Sequence, residues 1–189
     1  VLRETVTADI PGKHAYMPNA GYPETRKAVA GYLSSEHSLD ISEDHIVMTV
    51  GAGGALNVIF KTLLDPGDEV LIPAPYFVEY RFYVDNGGGV TRVVPTRDDF
   101  SLNPEAIEAG ITARTKAVLI NSPNNPTGKV YPREDLRTLA EILVRKSRQH
   151  GRPIYLVSDE PYRDIVYDGI RVPSVLKAYA NSLMAFSYS

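Results

Sequence analysis

The feature that most constrains this chain is an alternation of short apolar runs with segments whose apolar residues recur every three or four positions. Glu69–Ile72, Lys116–Asn121 and Ile154–Val157 read as strands, Val90–Pro95 as extended chain, and Ile46–Val50 as a strand leading into Gly51, Gly53 and Gly54. Leu183–Tyr188 reads as a last strand. Between them lie helices. Pro23 at a first helical position opens one whose apolar side is Ala28, Val29, Tyr32 and Leu33. Leu56, Ile59, Phe60, Leu63 and Leu64 mark a second, and Tyr76–Val84 a third. Asp65-Pro66-Gly67-Asp68 is a turn by composition. Asn103-Pro104-Glu105 supplies a cap, a first-turn proline and an acidic first turn, so another helix begins there. Pro132–His150 forms a long one ended by Gly151. Apolar strands alternating with helices predict an α/β fold, a mostly parallel sheet with helices on both faces.

In such a sheet ligands sit beyond the carboxyl ends of the strands. The polar, turn-forming chemistry falls there: the glycines after Val50, the Asn-rich loop after Ile120, the acidic pair after Val157 and the serines after Phe186. Composition narrows what such a site handles. A formal net charge of -3 and no run of like charges argue against a nucleic-acid surface. Cysteine is absent, which excludes disulfides and thiolate metal sites. His14, His37, His45 and His150 are scattered and form no ligand cluster, so no metal is expected; they read as surface or packing residues. No apolar stretch approaches the ~18 residues of a membrane helix, and no signal pattern opens the chain. A cytoplasmic protein with neither membrane nor nucleic-acid partner is the default.

Each candidate motif carries two readings. Gly51-Ala52-Gly53-Gly54-Ala55 stands between a strand and a helix, where unpaired N–H groups and small residues suit a phosphate, or where a tight turn needs positive φ. Leu56 occupies the place of a third glycine, so it is not a dinucleotide fingerprint, and no Lys-Ser/Thr pair makes it a P-loop. Asn121 through Gly128 is either a surface turn or a set of amides that need partners at a strand's end. Asp159, in Ser158-Asp159-Glu160-Pro161-Tyr162, is either a cap or exposed turn, or a buried carboxylate that must meet a cation. Phe77 is core by default.

Together these segments resemble the aminotransferase class I/II family, the fold-type I pyridoxal-phosphate enzymes. The likeness runs in order through Tyr16 with Ala20-Gly21-Tyr22-Pro23-Glu24-Thr25-Arg26, the glycine turn, and Leu64 through Val70. It continues through Pro73-Ala74-Pro75-Tyr76-Phe77, Asn121 through Gly128, Ser158 through Tyr162, and Ser187-Tyr188-Ser189. Asn-Asn-Pro-Thr-Gly is its most specific element. The resemblance implies pyridoxal 5'-phosphate as cofactor, with Asp159 facing the protonated pyridine nitrogen, Phe77 stacked on the ring, and Asn125 and Tyr162 bonding its phenolic oxygen. It further implies Ala52 and Gly53 N–H groups and the Ser187 hydroxyl on the phosphate. Tyr16 would reach the phosphate of a neighbouring subunit's cofactor, implying a homodimer with shared sites.

The implied reaction is amino-group transfer between an amino acid and a 2-oxo acid. Rival expectations are another chemistry on the same scaffold (β-elimination, decarboxylation, cyclopropane-forming synthesis) or a non-catalytic domain of the same fold. The matched polar cluster speaks against the last. The family's Schiff-base lysine follows the Ser-x-Ser element, which places it directly after Ser189, so the 189 residues contain no catalytic residue of their own. They read as a partial cofactor-binding large domain without the family's N-terminal segment and small C-terminal domain. Two explanations are expected for that ending: a true fragment, or a sequence written only as far as a lysine that already carries the cofactor.

Overall fold

Leu71, Val118, Ile120 and Leu156 pack into one hydrophobic cluster, and Val70, Ile72, Ala117, Leu119 and Val157 into another. Successive strand residues point to opposite faces, so this alternation places a packed layer on each side of one sheet. The computed structural model describes Thr7 and residues 15–188. The readings of His14 and Ser189 therefore fall outside the described residues. The chain divides into two units, Val1–Met48 and Thr49–Ser189.

In the first unit, α1 (Pro23–His37) starts with its proline at the first turn and ends at Ser38, whose left-handed backbone returns its N–H to the Ser34 and Ser35 carbonyls. Its buried stripe is Ala30, Leu33 and His37. Of the expected apolar side only Leu33 is buried, and Tyr32 is exposed. Arg26 ties the helix to a short 3-10 turn, Glu43–His45, donating to the Ile46 carbonyl at 2.9 Å and the Glu43 carbonyl at 2.6 Å.

The second unit carries five parallel strands: β1 (Glu69–Ala74), β2 (Val90–Pro95), β3 (Thr115–Asn121), β4 (Tyr155–Asp159) and β5 (Ser182–Ala185), in the order β2-β1-β3-β4-β5. The order reverses between β1 and β3, the place where open parallel sheets leave a crevice for ligands. Helices α2 (Gly51–Leu63) and α3 (Tyr80–Asn86) cover one face through Leu56, Phe60, Tyr80 and Val84. Helices α4 (Pro104–Gly110) and α5 (Arg133–His150) cover the other through Ile107, Leu136, Leu139 and Leu143, with the short α6 (Val175–Ala178) beside them. The Asn103 side chain caps α4 by accepting the Ala106 N–H at 3.0 Å. Gly151, at φ 67, ends α5 as its position predicts.

Three expected elements differ. Ile46–Val50 joins no sheet; Met48 N–H instead bonds the Ala20 carbonyl at 2.9 Å, and with Val47 and Val50 exposed the run has no ladder to enter. The helix expected from Tyr76 begins at Tyr80, because Pro75 to Phe77 continue past β1 before the chain turns. The last strand stops at Ala185 rather than Tyr188, since its partner β4 ends at Asp159, opposite Ala185. Among the described residues no helix is long and apolar enough to cross a membrane.

Candidate active site

β3 and β4 end side by side, Asn121 opposite Asp159. The Asn121 amide donates to the Asp159 carbonyl at 2.9 Å, and its oxygen accepts the Asn125 N–H at 2.6 Å. Asn124 accepts from the Thr127 N–H and hydroxyl at 3.2 and 2.9 Å and donates to the Pro75 carbonyl at 3.4 Å. Both are buried amides consumed in shaping the loop. Asn125 is half-buried, and its side chain makes no hydrogen bond among the described residues.

The two adjacent acids differ in the same way. Glu160 is buried against Arg163 and Ser158. Asp159, 5% exposed, is neither a cap nor an exposed turn. Its Oδ2 accepts the Tyr80 hydroxyl at 2.6 Å, while its buried Oδ1 has no partner. Burial raises its pKa to about 6, opposed by the Tyr80 bond and reinforced by the neighbouring Glu160 charge. An ionisable group so placed at a strand's carboxyl end is a candidate functional residue.

Asp159 lines a small cavity together with Ala52, Gly53, Phe77, Asn125 and Tyr162. These residues come from four separate segments of the chain. Phe77 meets Tyr80 edge to face, centroids 5.7 Å apart. The start of α2 has no side-chain cap and no acidic residue in its first turn, so its partial positive charge is uncompensated, while the Gly51 N–H turns back to the Thr49 carbonyl at 3.1 Å and the Gly54 N–H to the Val50 carbonyl at 3.2 Å. Gly51, at φ 66, makes the tight turn. A Cβ on Gly53 would lie 2.9 Å from the Tyr83 hydroxyl, so close packing also requires a glycine there.

Six of the eight expected site residues thus share one cavity. Ser187, beyond β5, is half-buried and is not among the residues lining it. Tyr16 lies fully exposed in the first unit. Tyr80 also lines the cavity; the sequence offers only a helical segment at that point, and its partner stands 79 residues away. The available signal was a tyrosine, whose hydroxyl needs a partner when buried.

Comparisons with known proteins bear on this geometry. The sequence model described as aminotransferase class I and II matches residues 1–189. The probable aspartate/prephenate aminotransferase of Thermus aquaticus is 48% identical over 160 residues, covering 84% of this chain and 40% of that protein. An aminotransferase crystal structure from Eubacterium rectale superposes with a TM-score of 0.93 at 42% identity, over 100% of this chain and 48% of its own. The aspartate aminotransferase of Thermus thermophilus with maleate gives 0.86 at 38% identity, with the same coverage. The chain spans less than half the length of these relatives.

Proposed function

The chain belongs to the aminotransferase class I and II family, and on that premise we propose that it is part of the cofactor-binding large domain of a pyridoxal-phosphate-dependent aminotransferase. The observation that carries this reading is the unpartnered, buried Oδ1 of Asp159 in a cavity edged by Phe77 and the uncapped start of α2. A flat cationic ring with an anionic phosphate fits that set of donors and acceptors. The carboxylate oxygen answers a protonated ring nitrogen, and the charge that burial penalises thereby gains its counter-ion. Phe77 supplies a face for the ring, Asn125 and Tyr162 bond its phenolic oxygen, and Ala52 and Gly53 N–H groups with the Ser187 hydroxyl hold the phosphate.

When bound, the cofactor supplies an electron-accepting ring for chemistry at the amino acid's Cα. The part of this chain is to orient that ring and to keep a proton on its nitrogen through Asp159. The substrates are an amino acid and a 2-oxo acid, with aspartate as the donor suggested by the names of the relatives. A homodimer with shared sites, Tyr16 reaching the neighbour's phosphate, is supported by apolar side chains left uncovered on α3 and just before it, Phe82 and Val78. A cytoplasmic location completes the reading.

The test is product analysis on the whole protein with pyridoxal phosphate, aspartate and 2-oxoglutarate. Glutamate and oxaloacetate in equal amounts are expected. Ammonia or carbon dioxide without glutamate would instead assign a lyase or decarboxylase.

A further inference from the structure

Asp159 has two carboxylate oxygens in unlike settings, one bonded to Tyr80 and one without a partner. We propose that Tyr80 is a positioning residue for Asp159, its hydroxyl holding Oδ2 so that Oδ1 is reserved for the protonated ring nitrogen. This rests on the cofactor reading above and adds a residue that reading does not contain.

The geometry is over-determined. Tyr80 is 1% exposed, so water offers its hydroxyl no alternative acceptor. Its ring is fixed by Val84 one turn on in α3, by the edge-to-face contact with Phe77 and by Tyr83 at 6.4 Å. Phe77 and Asp159, the ring-facing and nitrogen-facing groups, are therefore both set by one side chain. Burial and the adjacent carboxylate hold the Tyr80 hydroxyl protonated well beyond the physiological range, so the donor direction does not reverse.

The bond also acts on charge. Burial favours the neutral acid, and the Tyr80 hydroxyl is what favours the carboxylate. The other titratable groups around it do not take this role. Glu160 repels the Asp159 charge, Tyr162 lines the same cavity, and the Tyr83 hydroxyl is given to Glu79. Removing the Tyr80 hydroxyl leaves both carboxylate oxygens unpartnered, and the ionised form, the one able to meet a cation, becomes scarcer near neutral pH.

The experiment is calorimetric binding of pyridoxamine phosphate, which carries the ring nitrogen and the phosphate but needs no lysine, from pH 5 to pH 8. The wild-type affinity is expected to rise with pH and level off above about 6. In Tyr80→Phe the midpoint moves up by about one pH unit, with about fivefold weaker binding at pH 6. Asp159→Asn flattens the profile, and adding Tyr80→Phe to it changes little. Fluorotyrosine at position 80, a stronger donor of nearly the same shape, moves the midpoint down, which keeps the idea testable if Tyr80→Phe does not fold. A Tyr80→Phe midpoint equal to wild type, with only a lowered melting temperature, would reduce the bond to a structural tie and overturn the proposal. No binding by the wild type would remove the cofactor reading, and this inference with it.

Discussion

Arg163 closes on Glu160, Nη1 to Oε2 at 2.8 Å with both side chains buried, and this pairing separates two acids adjacent in the chain. Ser158 donates to the other Glu160 oxygen at 2.7 Å, and Arg163 Nη2 donates to the Val172 carbonyl at 2.8 Å. Glu160 is thus spent on the fold and Asp159 kept for the cavity. Arg163→Met leaves a buried carboxylate without its cation and is expected to cost about 3–5 kcal/mol in urea unfolding. Combining it with Glu160→Gln should restore much of that loss. A loss of under 1 kcal/mol, or no rescue, would show that the pair contributes little.

Asp159 predicts a stability cost with a defined pH window. Its folded pKa is raised from 3.8 to about 6, so the empty folded protein holds that proton more tightly than the unfolded chain does. Stability should therefore fall as pH rises from about 4 to 6, by up to about 3 kcal/mol from this group. Asp159→Asn removes this pH dependence. The variant should match wild type near pH 3 and exceed it at pH 8, while transamination by the whole protein drops by several orders of magnitude. Equal unfolding free energies at pH 8 would contradict the buried ionised carboxylate. The Glu160 shift has the same direction but cancels in the comparison, since both proteins keep it.

Gly53 and Tyr83 make a paired prediction. Gly53→Ala places a methyl group 2.9 Å from the Tyr83 hydroxyl and should destabilise by about 1–3 kcal/mol. Tyr83→Phe removes the near atom, and the next, Cζ, stands at a tighter-than-usual 3.4 Å that a small shift absorbs. The double variant should therefore recover most of the loss in a double-mutant cycle. Strict additivity would mean that the glycine serves the backbone rather than the contact.

Tyr16→Phe tests the shared-site dimer. Loss of one hydrogen bond to a phosphate should weaken cofactor retention about tenfold while slowing turnover much less. An unchanged cofactor dissociation constant would argue against any role for Tyr16 at a neighbour's phosphate.

Much of the fold is legible in sequence because burial on both faces leaves near-continuous apolar strands such as Ala117-Val118-Leu119-Ile120, and because Asn103 and Gly151 are placed where helix ends need them. Ile46–Val50 shows the limit: an apolar run becomes a strand only beside another strand, which local pattern does not encode. The site divides likewise. Asp159 stands out since a carboxylate after a buried strand is costly. Tyr80 does not, because its hydroxyl finds its purpose only across a long stretch of chain. The asparagines are separable only in three dimensions, where Asn121 and Asn124 are occupied by the loop and Asn125 is not.

The order β2-β1-β3-β4-β5, every pair parallel, bears on how the protein is made. Each parallel pairing waits for a whole crossover to close, so many contacts span long sequence separations and folding is expected to be slow. Gly53 lies before β1, Phe77 between β1 and β2, Asn125 between β3 and β4, and Asp159 ends β4, so a sheet formed only as far as β3 does not hold all four. The competence to capture a cofactor therefore arises late, once β4 has paired with β3. During synthesis on a ribosome, cofactor uptake would have to wait at least until Asp159 has joined the sheet.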